Sequence, residues 1–336
     1  MAGDSLLSDL IREKNGAKLL FTPGPASLTM ENVMGLGPAF GRGDSRYDLE
    51  ESEVLQGIAN LAGQDKVVRL QGAASLAIEV MISNFLYGNV VVIHTGYYSE
   101  RVLNMVENAR AQFGFVREIS EVPWDRAEAL SGAADWLIAV PVETSKGLGL
   151  PISEIKSHAE RIGAKLMLDA TASIGLHNSH DLADVLAFSS CKGLFGLTGA
   201  AFIAYSEPPT NDVSSFSLDM SSYSEKRMTG PYHAILSLTH SLRVHDDLKH
   251  SVMVNKEKCI HRFPESLVFP SNLQPLLCTG LYGSVRTKNQ DVVLYQPRGN
   301  LSHSVVCHLG EVHLGRDSAG EILENLYIEN WDRCEP

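Results

Sequence analysis

The sequence predicts an α/β fold, a mainly parallel sheet flanked by helices and followed by a small C-terminal α/β domain. Three observations predict it. Short apolar runs alternate with amphipathic stretches through the middle of the chain. Polar residues cluster just after those runs, where open α/β sheets bind their ligands. Near Ser206 the composition turns to Ser, Pro, Asp and Asn, and beyond it the alternation weakens.

The runs Val67–Leu70, Val90–His94, Trp136–Val142, Leu166–Asp169, Val185–Phe188 and Ala200–Tyr205 read as buried strands. Each is short, rich in Val, Ile, Leu or Ala, and bounded by Gly or polar residues. Between them Ser75–Leu86, Glu100–Phe113 and Ser153–Ile162 read as helices, the last entered through Pro151. The alternation implies parallel strands covered on both faces, with an antiparallel terminal pair allowed. Ser206–Lys226 reads as a long loop, and a helix is expected from Pro231 to about Leu248. The chain divides into a large domain, residues 1–240, and a small one, residues 241–336.

With 44% hydrophobic and 20% charged residues in 336, the chain can bury a core, and intrinsic disorder is excluded. A net charge of −12 without a basic run argues against nucleic acid and anionic membranes. An anionic small substrate needs only two or three local cations. The five cysteines, Cys191, Cys259, Cys278, Cys307 and Cys334, are widely spaced and form no C-x-x-C, so reduced thiols are expected. The first 16 residues carry no apolar signal core, and no apolar run spans a bilayer. A soluble, cytoplasmic protein is expected. His303, His308 and His313 stand five apart, which fits no metal-ligand spacing, so no metal is expected.

Three features carry chemistry. Gln71-Gly72-Ala73-Ala74-Ser75 follows the first strand and opens a helix. Small residues there let backbone amides approach an anion, with the Ser75 hydroxyl as a further donor; a plain turn with Ser75 capping the helix is the alternative. Asp169 ends a buried strand, where a carboxylate requires a cationic partner or a helix to cap. Lys192 follows the next strand in a small, apolar setting, Ser189-Ser190-Cys191-Lys192-Gly193. Desolvation there would lower its pKa and make it a nucleophilic amine, unless it is an ordinary surface lysine. An Asp followed 23 residues later by such a Lys is the pattern of a pyridoxal phosphate enzyme, in which the Asp keeps the pyridine nitrogen protonated and the Lys forms the Schiff base.

At this point the sequence resembles the class V aminotransferases of fold type I, and among them the 2-aminoethylphosphonate–pyruvate transaminases. Seven segments occur in the family's order. They are Leu20-Phe21-Thr22-Pro23-Gly24-Pro25, Gly72-Ala73-Ala74-Ser75, Thr95-Gly96-Tyr97-Tyr98-Ser99-Glu100-Arg101, Val142-Glu143-Thr144-Ser145-Lys146-Gly147, Asp169-Ala170-Thr171-Ala172-Ser173, Ser189-Ser190-Cys191-Lys192 and Arg227-Met228-Thr229. The resemblance implies a seven-stranded sheet and a homodimer with composite active sites. It implies pyridoxal 5'-phosphate held by Ala73, Ala74, Ser75, Tyr98, Thr144, Asp169, Ser189, Lys192 and Thr229. Tyr98 would stack on the cofactor ring, Thr144 would lie near its phenolic oxygen, and Thr229 would reach the neighbouring subunit's phosphate.

The implied substrates are a small amine, such as an aminophosphonate, and a keto acid such as pyruvate. Lys192 and Asp169 would be the catalytic pair. Two departures stand out. Ala73 and Ala74 replace the usual Ser and Gly of the phosphate cup, removing one side-chain donor. In Cys307-His308-Leu309-Gly310, His308 stands where the family carries a carboxylate-binding Arg. A bidentate guanidinium is not replaced by an imidazole. Arg298, on the preceding segment, is the nearest alternative cation. The same fold and cofactor also support lyases and degenerate non-catalytic paralogues.

Overall fold

The computed structural model describes residues 2–24, 29–37, 43–225, 228–299, 302–313 and 323–329. Seven strands form its main sheet: β1 (Lys66–Gln71), β2 (Gly88–His94), β3 (Val116–Pro123), β4 (Trp136–Ala139), β5 (Lys165–Asp169), β6 (Val185–Ser189) and β7 (Ala200–Tyr205). Their spatial order is β1-β7-β6-β5-β4-β2-β3. The run from β6 to β3 is parallel throughout. β7 inserts between β1 and β6, antiparallel to both.

Both faces are buried, which explains the near-continuous apolar strands. Successive residues point to opposite faces. Leu166 and Leu168 of β5 pack in one core with Leu137, Phe188, Phe202 and Ile58. Met167 packs in the other with Ile138, Ala187, Ile203, Leu70 and Ile78. The first core is closed by helices α1 (Ser45–Ala62) and α4 (Ile152–Arg161), the second by α2 (Ala74–Phe85) and α3 (Tyr97–Phe113).

Three departures from the sequence reading have local causes. The edge strand β3 is half exposed and carries charged residues, so it lacked a buried-strand signature. The apolar run from Trp136 ends as a strand at Ala139, just before Pro141. The expected helix from Pro231 is broken into Tyr232–Leu236, Leu238–Ser241 and α5 (His245–Arg262). At the first break the Ser237 hydroxyl bonds to the Ala234 carbonyl and accepts the Leu197 amide, offering the backbone an alternative to helix.

The 206–225 stretch is a clamped connection. Asn211 Nδ2 bonds to the carbonyls of Ser83 and Leu86, and Asn84 bonds to Leu218 and Met220. Beyond α5, Cys278–Tyr282 pairs antiparallel with His303–Cys307, and Ser284–Thr287 with Leu326–Glu329. Val292–Leu294 pairs in parallel with Leu19–Phe21 near the N-terminus. Phe21 shares a core with Cys259, Phe263, Leu281 and Val306. No described helix is long and apolar enough to cross a membrane. Among the described residues no group of three metal-ligating side chains converges. Cys191, Cys259, Cys278 and Cys307 are free thiols; Cys334 and Arg227 lie outside the described residues.

Candidate active site

The parallel strands end on one side of the sheet, and the chemistry-bearing residues follow those ends. Asp169 closes β5 and is 3% exposed. Its Oδ1 accepts both the amide and the hydroxyl of Thr171, which leaves Oδ2 for a donor from a ligand. Lys192 follows β6 in a tight turn. The Ser190 amide bonds to Ala200, Gly196 to Ser190, and Phe195 to Lys192 itself. The Ser190 hydroxyl adds bonds to the carbonyls of Leu197 and Ala200. Behind the lysine, a Cβ on Gly193 would come within 2.1 Å of the Ile174 carbonyl oxygen, so only glycine allows the two loops to touch. The Gly193 carbonyl meets His245 Nε2 at 2.8 Å. The lysine thus projects from a fixed backbone.

Its ammonium lies 5.8 Å from the centroid of the Tyr98 ring, and the Arg101 guanidinium lies 4.9 Å from the same ring. Tyr98 sits in the first turn of α3, which Glu143 caps from a separate segment. Glu143 is fully buried. Its Oε2 accepts the amides of Tyr98 at 3.0 Å and Ser99 at 3.4 Å and the Thr95 hydroxyl at 3.3 Å. Its Oε1 accepts the amide and hydroxyl of Ser145. A carboxylate so satisfied complements the helix N-terminus and ties the first turn of α3, which carries Tyr98, to the Glu143–Ser145 segment. The Tyr295 hydroxyl lies beside those of Tyr98 and Thr144, and burial together with Tyr98 raises its pKa. It is nonetheless a buried polar atom with no hydrogen bond of acceptable geometry.

At the mouth, Arg298 Nη1 donates to the Tyr97 hydroxyl at 3.2 Å, and its guanidinium lies 5.5 Å from the Tyr97 ring centroid. Lys146 is half-buried and packs, with Glu143, around the spot where a Gly96 side chain would stand. On the far side, Gly72 is tied to Gly199, and Ala73 precedes α2 without any side-chain cap. The first amides of α2, with the half-buried Ser75, are therefore free to receive an anion. Gly72 and Thr229 line one open cavity of about 470 Å³. Ser189 is buried at the end of β6, with its hydroxyl 3.6 Å from the Cys191 thiol.

Nearly every residue singled out in the sequence belongs to this surround. His308 stands apart. It is buried, with Nε2 2.9 Å from the Thr279 hydroxyl. Burial, aided by the Lys256 charge, lowers its pKa to about 3, so it is neutral and supplies no cation. Its neighbour Cys307 packs in a core with Val142, Ala172, Leu176 and Phe195, and burial raises its thiol pKa. Tyr295 carried no spacing signal in the sequence. The capping role of Glu143 also had none, because it joins two segments 45 residues apart.

No protein-family model matches the chain. Curated relatives do. The 2-aminoethylphosphonate–pyruvate transaminase of Pseudomonas aeruginosa is 26% identical over 255 residues, 69% of each chain. That of Pseudomonas fluorescens is 27% identical over 250 residues, 67% of this chain and 68% of its own. Among solved structures, alanine–glyoxylate aminotransferase from Nostoc sp. superposes with a TM-score of 0.73 at 19% identity, over 91% of this chain and 95% of its own. Pyridoxamine–pyruvate aminotransferase from Mesorhizobium loti gives 0.72 at 16% identity, over 88% and 87%. The fold is that of these aminotransferases, and the resemblance carried by the motifs is borne out by the relatives.

Proposed function

We propose that this chain, a relative of the class V pyridoxal-phosphate-dependent aminotransferases, moves an amino group from a small amine bearing an acidic group to a keto acid such as pyruvate. An aminophosphonate of the kind named for its relatives is the donor this reading favours. One observation carries it. Lys192 and the buried Asp169 follow the carboxyl ends of adjacent parallel strands, with the Tyr98 ring set over the lysine.

The residues suit pyridoxal phosphate. An uncapped helix start and, among the described residues, an Asp169 Oδ2 and a Tyr295 hydroxyl with no hydrogen bond of acceptable geometry are groups such a ligand would engage. When bound, the cofactor supplies an electrophilic carbon and an electron-withdrawing ring. The chain's own groups do the rest. Lys192 Nζ would hold the cofactor through its aldehyde carbon and, when free, would accept and return a proton. Asp169 holds a proton-bearing donor at Oδ2. The first amides of α2 and the Ser75 and Thr229 hydroxyls bind phosphate, Ser189 and Thr144 line the ring, and Tyr98 fixes its plane. Arg298, at the Tyr97 hydroxyl, offers positive charge for the substrate's acidic group. A homodimer, with Thr229 serving the neighbouring phosphate site, and a cytoplasmic location belong to this reading.

The test is a spectral titration of the purified protein with 2-aminoethylphosphonate and with alanine, each with and without pyruvate. Amine-driven bleaching of the cofactor band, reversed by pyruvate, is expected. Continuous product formation without any keto acid would replace transamination with elimination.

A further inference from the structure

Arg69 lies on β1, three residues before the Gly72-Ala73-Ala74-Ser75 turn, and is 7% exposed. Its guanidinium joins three pieces of chain. Nε donates to Glu51 Oε1 on α1, and Nη1 donates to the Met228 carbonyl at 3.2 Å. The same Glu51 oxygen accepts the Tyr47 hydroxyl at 2.8 Å. Tyr47 in turn packs edge-on to Tyr232, with ring centroids 4.7 Å apart. The segment from Met228 to Tyr232 is thus held at both ends by one buried network. Between those ends Gly230 makes room: a Cβ there would lie 2.5 Å from Arg69 Cζ and 2.7 Å from Nη1.

A buried Arg–Glu pair adds little net stability, because desolvating two charges offsets their attraction. The arrangement is better explained by what it aligns. Thr229 follows the carbonyl that Arg69 grips, and it shares an open cavity with Gly72. Arg69 is rooted in the strand that leads into the cup, so its fork ties the Thr229 segment to that strand and, in the homodimer of the reading above, sets where Thr229 meets the neighbouring subunit's phosphate.

We propose that Arg69 is a positioning residue for phosphate binding, setting the Met228–Tyr232 segment through the Glu51 pair. The inference rests on the reading of the site as a pyridoxal phosphate site. A lysine cannot reproduce the fork, since a single ammonium lacks the two fixed directions toward Glu51 and the Met228 carbonyl.

The experiment titrates full-length protein, freed of cofactor, with pyridoxal phosphate, with inorganic phosphate and with pyridoxal. In Arg69→Lys, the dissociation constants of pyridoxal phosphate and phosphate are expected to rise about 10-fold, the effect of misplacing one hydrogen bond to a charged group. Pyridoxal, which has no phosphate, should bind as in the parent. The double variant Glu51→Leu with Arg69→Met, which removes both charges of the pair, guards against misfolding and should show the same selective loss. Equal weakening of pyridoxal and pyridoxal phosphate, or no weakening of either, overturns the proposal. Parent protein that takes up pyridoxal phosphate while the variants bind it unchanged refutes only the positioning role. Parent protein that takes up none refutes the wider reading and this one together.

Discussion

The two sides of the site are built differently. On the large-domain side, each functional group hangs from a strand end or a helix start, and second partners fix it: Thr171 for Asp169, the Ser190–Gly196 turn for Lys192, Glu143 for Tyr98. On the C-terminal side, His308, which the resemblance set against a carboxylate-binding Arg, is buried and bonded to Thr279. Arg298 is exposed and donates to the Tyr97 hydroxyl. The contrast teaches that groups at strand ends and helix starts are held by rigid topology, whereas an exposed side chain such as Arg298 can be replaced with little effect on the fold.

The largest effect expected on the rigid side comes from Lys192→Ala. Loss of the proton carrier should cut turnover by about 10²–10⁴-fold. Cofactor should still bind through the phosphate and ring contacts, measured by equilibrium dialysis alongside steady-state rates. A variant retaining parental turnover would place the chemistry elsewhere.

The rigid side was also the legible one. Strand ends announce themselves because buried parallel strands are continuous apolar runs, and a polar residue directly after one, such as Asp169 or Lys192, stands out against them. Glu143 was visible only as part of a motif. Its five hydrogen bonds come from residues on both sides of a long crossover, and spacing encodes none of that. His308 shows the limit on the other side. Its position aligned with the family's arginine, but a side chain after a strand can turn into either layer, and Thr279 across the sheet holds this one inward. β3 escaped notice because an edge strand faces solvent and looks polar.

A second comparison of the two sides uses stability. Glu143→Ala would strand several buried donors at once, and a loss of about 3–5 kcal/mol is expected, read as a lowered midpoint of urea unfolding. Arg298→Ala should leave that midpoint unchanged. An equal effect from both would mean that the mouth is as structural as the base.

Acid should act at the junction between the sides. His177, with a pKa of about 3, accepts the Leu276 amide; His180, at about 4, bonds to Ser173; His308 lies at about 3. Burial lowers all three below the ordinary value of 6.5. The unfolded chain therefore binds more protons than the native one, and stability falls as pH drops below about 7 toward those values. Between pH 7 and 5 each should contribute a loss of about 1–2 kcal/mol, measured by urea unfolding across pH. His308→Gln, which keeps a hydrogen-bonding partner for Thr279 without a titrating ring, should flatten the slope. An unchanged slope would show that its burial does not set the acid sensitivity.

The smallest effect is expected at the mouth. Arg298→Ala should raise KM for an anionic amine about 10-fold and leave kcat within a factor of about two, because the charge binds ground and transition states alike. A fall in kcat with KM unchanged would instead bring Arg298 into the chemistry. Salt should weaken the parent's affinity for the anionic amine and not the variant's.

The most direct test of the central claim is the site of covalent attachment. The purified protein is incubated with pyridoxal phosphate, reduced with borohydride, digested and mapped by mass spectrometry. The expected result is a single phosphopyridoxyl adduct on Lys192, absent from Lys192→Ala. An adduct on Lys146 or Lys226, or none at all, would contradict the account.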